Sequence, residues 1–209
     1  MNNLADLSKC RILLSNDDGI NAGGLRVLEK IARQLSDDVW VVAPTTEQSG
    51  AGHSLTLHLP LRPVEVAKHR WTVSGTPTDC VMVAVNTILK DRKPDLVLSG
   101  INMGSNLGED VHYSGTVAAA LEGALLGVPA IAISQEVIDG QPISWAAAER
   151  HMPDLIRRMC SAGWPTNVLM NVNIPQVEGA PDLKVVAASQ GKHKLGDDLV
   201  LREDPRGRT

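Results

Sequence analysis

The sequence predicts an α/β protein built on a parallel, doubly wound sheet. Strand patterns and helix patterns alternate through the first two-thirds of the chain, the order that a parallel sheet requires. Two adjacent carboxylates, Asp17 and Asp18, stand where an apolar strand runs into a glycine-bearing loop ahead of a helix pattern. The length, 209 residues, suits one such domain with a sizeable core.

The first strand is Arg11-Ile12-Leu13-Leu14-Ser15, and the loop behind it runs from Asn16 to Gly24. Leu25, Leu28, Ile31, Ala32 and Leu35 then fall on one helical face over residues 24–35. Val39-Trp40-Val41-Val42-Ala43 reads as the second strand, followed by a Ser/Gly-rich stretch from Pro44 to Gly52. Residues 54–73 alternate in short extended pieces (Leu55, Leu57, Leu59; Val64, Val66; Trp71, Val73), which predicts a small β excursion. Gly75-Thr76-Pro77-Thr78-Asp79 opens the next helix, with Thr76 as N-cap, Pro77 at the first helical position and Asp79 completing an acidic capping box. Cys80 to Leu89 is apolar nearly all round, as in a buried helix.

Asp95-Leu96-Val97-Leu98 reads as a strand and leads into a long glycine-spaced loop, Ser99 to Gly115. A helix over Val117 to Leu126 ends at Gly127, a good residue just past a helix end. Ala130-Ile131-Ala132-Ile133 is a further strand. Residues 144–161 look helical, with Pro153 expected to break or kink them. Strand-like runs return at Val168–Val172 and at Leu183–Ala187. Residues 1–188 read as a single α/β domain. Residues 189–209 read as a polar extension without a closing apolar element.

Composition excludes several classes. The formal charge of −4 provides no basic face for a nucleic-acid polymer and no polybasic membrane signal. Met1 to Lys9 lacks an apolar signal core, and no stretch approaches the roughly 18 to 20 apolar residues of a membrane span. Cys10, Cys80 and Cys160 are scattered and odd in number, which points to reduced thiols in the cytoplasm. With no Phe, one Tyr and four Trp, the core rests on Val, Leu, Ile and Ala.

Three loops at three strand ends carry the chemistry. The first holds Asp17 and Asp18, the second Gln48, Ser49, Gly50 and His53, and the third Asn102, Asn106 and the Ser114-Gly115-Thr116 step into a helix. Adjacent anions repel, and a divalent cation relieves them. Two carboxylates, a hydroxyl and an amide oxygen are hard donors that suit Mg²⁺, Mn²⁺ or Ca²⁺. Ligands of open α/β sheets collect at the C-terminal ends of strands. A small-residue turn opening a helix presents N–H groups and a positive dipole end to a phosphate. Metal and helix terminus together make a cradle for hydrolysis of a phosphate ester. Each piece alone also has an ordinary role. Asp-Asp serves as a solvated turn, Ser49 as turn chemistry, Asn102 and Asn106 as left-handed turn residues, and Ser114 or Thr116 as a plain N-cap. Asp79 reads as a cap, Glu109 and Asp110 as solvated charges, and His53, His112 and His193 as surface or structural residues.

These segments resemble the SurE family, the stationary-phase survival nucleotidases. The resemblance rests on Leu14–Ile20, on Val42-Ala43-Pro44 with Gln48-Ser49-Gly50, on Val73–Cys80, on Pro94–Asn102 and on Tyr113–Gly123, in that order, with Asn173-Ile174-Pro175 a weaker continuation. It implies a Rossmann-like three-layer α/β/α fold and a divalent-metal-dependent phosphatase. The implied substrates are nucleoside monophosphates, 5′ and also 3′, with short-chain polyphosphate as a further one. It implies one divalent ion per subunit held by Asp17, Asp18, Ser49 and Asn102. Asp17 and Asp18 are then the catalytic carboxylates, and Asn106, Ser114, Gly115 and Thr116 surround the phosphate. It further implies a homodimer or homotetramer formed through C-terminal segments, so that 189–209 reads as the start of an oligomerisation segment that is cut short.

Two other readings differ in kind. In one, Asp17 is a nucleophile that forms an aspartyl phosphate; the haloacid dehalogenase pattern wants Asp-x-Asp with a downstream Lys, whereas these carboxylates are adjacent. In the other, the chain is a non-enzymatic receiver-like binding module. That module needs an Asp at the end of the third strand, and the 95–98 strand leads into Ser99-Gly100 instead.

Overall fold

The computed structural model describes residues 4–177, 179 and 182–192. His193, the polar run beyond it and the first three positions lie outside the described residues. Seven strands form one sheet: β1 (Arg11–Ser15), β2 (Asp38–Pro44), β3 (Pro63–Ala67), β4 (Arg70–Val73), β5 (Leu96–Met103), β6 (Ala130–Gln135) and β7 (Leu169–Ile174). Their order is β3-β4-β2-β1-β5-β6-β7. All neighbours pair parallel except β3 with β4, which form the small antiparallel excursion.

The helices are α1 (Gly23–Ala32), α2 (Pro77–Val83), α3 (Asp110–Tyr113), α4 (Gly115–Leu125) and α5 (Ala146–Ala162). Strand residues alternate between two cores, as strand geometry demands. Ile12, Leu14, Val39, Val41, Leu98 and Ile131 pack on the side of α1 and α5. Leu13, Val42, Val97, Ala130 and Ala132 pack on the side of α2 and α4. The result is the expected α/β/α sandwich. The chain steps from β1 outward through β2 on one side, and from β5 through β6 and β7 on the other, so β1 and β5 flank the switch point. β5–α4–β6 and β6–α5–β7 step the same way but place their helices on opposite faces. The two crossovers therefore have opposite hands, and the rule for parallel units makes the second the left-handed exception.

Several expectations shift. Residues 54–60 form no strand although Leu55, Leu57 and Leu59 alternate; all three are exposed, so nothing rewards pairing. Residues 183–187 also form no strand. The helix expected over 80–89 runs as α2 and then as a π-helical turn over Ala84–Ile88. α5 continues across Pro153 because Met152, Ile156 and Cys160 bury its apolar face. β5 is longer than expected, and its register with β6 shifts between Ser99 and Asn102. Among the described residues no helix is long and apolar enough to cross a membrane.

Candidate metal and phosphate site

Asp17 and Asp18 follow β1 directly, in the crevice beside the switch point. Asp17 is 4% exposed. Its carboxylate accepts the Thr116 hydroxyl, 99 positions away in the chain. The N–H groups of Gly115 and Thr116 act on the same carboxylate, so the anion received at the α4 N-terminus is Asp17 itself. Burial pushes Asp17 above its ordinary range, while the Thr116 hydroxyl and those N–H groups pull the other way. Asp18 is half-buried. Its burial, then the charges of Asp17 and Glu47, push its carboxyl up to about 6, against a backbone hydrogen bond from Met103.

The second loop reaches the first through its backbone. Gln48 N–H donates to the Asp17 carbonyl at 2.8 Å, and Ile20 N–H donates to the Pro44 carbonyl at 2.9 Å. Gly19, at φ 93°, permits this approach; a Cβ there would stand 3.2 Å from the Thr46 carbonyl carbon. The Ser49 hydroxyl donates to Glu47 at 2.9 Å. Asp18 thus feels both Glu47, the partner of Ser49, and Met103, the chain neighbour of Asn102.

Asn102 sits past the β5 register shift, and such irregularities re-aim a side chain. Its amide nitrogen donates to the Gly104 carbonyl at 2.8 Å, leaving the amide oxygen as its remaining acceptor. Ser114 caps α4, accepting Val117 N–H at 3.1 Å, so its own hydroxyl proton remains to be given. Asn106 is 7% exposed and is held toward β6 and β7. It donates to the Ser134 hydroxyl at 2.7 Å, and its backbone pairs with Asn171 and Asn173. Among the described residues, its hydrogen bonds go to Ser134, Asn171 and Asn173 and not to the aspartates. A cavity of about 1030 Å³ opens beside Ser114, bounded by His53, Leu107, Val111, His112 and Gln190 among others.

The residues present fit a hard cation. Among the described residues, Asp17, Asp18 and Glu47 make no ion pair with Lys, Arg or His. Three carboxylates gathered without a counter-charge are electrostatically frustrated. Among the described residues there is also no group of three or more His, Cys, Asp or Glu arranged to hold a metal. Ligation would therefore draw on the neutral oxygens of Ser49 and Asn102, a pattern typical of Mg²⁺-like ions rather than zinc.

Sequence reasoning passed over Glu47. Its signal was available, since it is the acidic residue two positions before Ser49 in the second loop. The hydrogen bond from Thr116 to Asp17 had no sequence signal.

Fold and site together define a doubly wound α/β protein with an acidic, oxygen-rich site at the strand ends of its switch point. The chain belongs to the SurE family: residues 12–197 match the family described as Survival protein SurE. It is 59% identical over 204 residues to the 5'-nucleotidase SurE of Paramagnetospirillum magneticum, covering 98% of this chain and 78% of that protein. It is 58% identical to the 5'-nucleotidase SurE of Rhodospirillum rubrum, covering 98% of this chain and 79% of that one. Among solved structures, the SurE protein from Aquifex aeolicus superposes with a TM-score of 0.82 at 40% identity, over 94% of this chain and 78% of the other.

Proposed function

We propose that the chain is a 5′-nucleotidase that hydrolyses nucleoside monophosphates to nucleoside and phosphate in a divalent-metal-dependent reaction. The observation that carries this reading is the seating of Asp17 against Gly115 and Thr116, which puts the paired carboxylates and the start of α4 in one place. Asp17, Asp18, Ser49 and Asn102 would hold one Mg²⁺ or Mn²⁺ per subunit. Such an ion, when bound, polarises the phosphoryl group and makes a water molecule more acidic.

The chain's own residues do the rest. Thr116 and the first N–H groups of α4 orient Asp17 and favour its charged form against the burial that opposes it. Asp18, half-buried and with a raised pKa, is suited to take a proton from the attacking water. Ser114 has a free hydroxyl proton for a phosphoryl oxygen, and the Asn106 amide has a proton besides the one it gives to Ser134. The cavity next to Ser114 has room for the nucleoside. The reading extends to 3′-nucleotides and short polyphosphate, to a homodimer or homotetramer, and to the cytoplasm. An aspartyl-phosphate route is less well supported, because Asp17 is buried and already engaged by Thr116 and α4.

The test is phosphate release from a panel of nucleoside monophosphates, first with EDTA and then with Mg²⁺ or Mn²⁺, wild type beside Asp17→Asn. Release that needs metal and disappears in a folded Asp17→Asn protein is expected. Near-normal turnover in that variant, with metal dependence unchanged, would sink the assignment.

A further inference from the structure

The loop over residues 47–56 carries Ser49 and has no helix or strand of its own. Its order comes from bonds to other elements. Near Ser49, Gln48 N–H donates to the Asp17 carbonyl at 2.8 Å and Gly52 N–H to the Tyr113 carbonyl at 3.2 Å. His53 meets Glu122 of α4 at 3.0 Å.

The far end is held by Asp79. This carboxylate is fully buried, and among the described residues it has no ion-pair partner. It accepts Thr76 N–H at 2.9 Å, which is its share of the α2 capping box. It also accepts the Thr56 hydroxyl at 2.6 Å and the Thr56 N–H at 3.2 Å. Thr76 adds a bond from its hydroxyl to the Ser54 carbonyl at 2.7 Å. Gly75 makes room, since a Cβ there would stand 2.6 Å from an Asp79 oxygen.

A capping box requires neither burial nor the bonds to Thr56. A buried charge is kept only where hydrogen bonds replace its lost water, and Thr56 supplies two of them. The carboxylate is therefore shared between starting α2 and fastening the loop. We propose that Asp79 is a positioning residue that, through Thr56, locks the 47–56 loop and so holds Ser49 over the aspartate pair. This rests on the reading of Ser49 as a metal ligand.

Thr56→Val removes the hydroxyl bond but leaves the Thr76–Asp79 cap in place; Asp79→Asn weakens both. Mn²⁺ affinity of the metal-free protein is measured by calorimetry, and amide exchange is followed over residues 49–56. Both variants should bind Mn²⁺ about 10-fold more weakly, the low end of what supporting residues contribute to metal sites, and exchange faster across the loop. Ile156→Val, in the fully buried face of α5, serves as a control for lost stability; it should lower the melting temperature without moving Mn²⁺ affinity. Ser49→Ala is run beside them. If it weakens Mn²⁺ binding while folded Thr56→Val and Asp79→Asn match wild type in affinity and exchange, the positioning role is overturned and the ligand reading stands. If Ser49→Ala itself leaves affinity unchanged, the ligand reading fails and the positioning role falls with it.

Discussion

The backbone of Gly115 lies so close to the side chain of Asp17 that a Cβ on the glycine would stand 2.7 Å from the aspartate's own Cβ and 3.0 Å from one of its oxygens. The neighbour is the root of a buried side chain, so it cannot swing aside. Gly115→Ala is expected to displace Asp17 and reduce kcat by about 100-fold, the scale seen when one catalytic electrostatic contact is lost. Thr116→Val keeps the glycine but removes the hydroxyl bond, and should weaken divalent-metal binding by about 10-fold. Steady-state kinetics with metal titration checks both; unchanged metal affinity in Thr116→Val would show that this bond does not position Asp17.

Glu47 accepts the Ser49 hydroxyl and adds its charge to the field at Asp18. Glu47→Gln keeps the size and removes the charge. It should weaken Mg²⁺ or Mn²⁺ binding about 10-fold and bring the Asp18 carboxyl down toward its ordinary value. Calorimetric metal titration reads the first effect and carboxyl NMR the second. A variant equal to wild type in both would remove Glu47 from the site.

Asp18 titrates at about 6 rather than at the ordinary 3.8, so between these values the folded chain keeps a proton that the unfolded chain has released. Its contribution to stability is therefore greatest below the lower value and is lost as pH rises to about 6. Asp17 is shifted in the same direction. In EDTA, the melting temperature should carry a downward component across this window as pH rises, and Asp18→Asn should remove much of it. Protons and cation compete for the same oxygens, so Mn²⁺ should stabilise the protein more at pH about 7 than at about 5. An equal Mn²⁺ effect at both pH values would place the cation elsewhere.

Gly24, near the start of α1, faces the Ile101 carbonyl at the β5 irregularity, and a Cβ there would collide with that carbonyl. Gly24→Ala should cost about 3 kcal/mol, the upper end of ordinary overpacking, and loosen the segment that presents Asn102. Gly127 is a contrast: it has φ 81° with open space around it. Gly127→Ala should cost only about 1 kcal/mol, through backbone strain alone. Urea unfolding of the two variants gives the comparison, and equal losses would contradict the collision at Gly24.

Much of this architecture is legible in local patterns. The α2 start at Thr76-Pro77-Thr78-Asp79, the Asp17-Asp18 turn and the small-residue opening of α4 all depend on near neighbours in the chain, so their residue types announce them. Pro153 and the 54–60 alternation misled for one reason: burial decides whether a local preference is obeyed. The buried face of α5 overrides its proline, and the exposed leucines of 54–60 receive no partner.

The sequence by itself determined the α/β class and the hard-oxygen character of the residues in the candidate-site loops, because periodicity and side-chain chemistry are properties of short stretches. Only the tertiary structure decided that β5 lies beside β1, bringing the Asn102 segment to Asp18, and that Thr116 spends its hydroxyl on Asp17. It also gave Glu47 and Asp79 their places around the Ser49 loop. Those relations join positions tens of residues apart, and they exist only once strand order and two helix faces have been settled by burying the core.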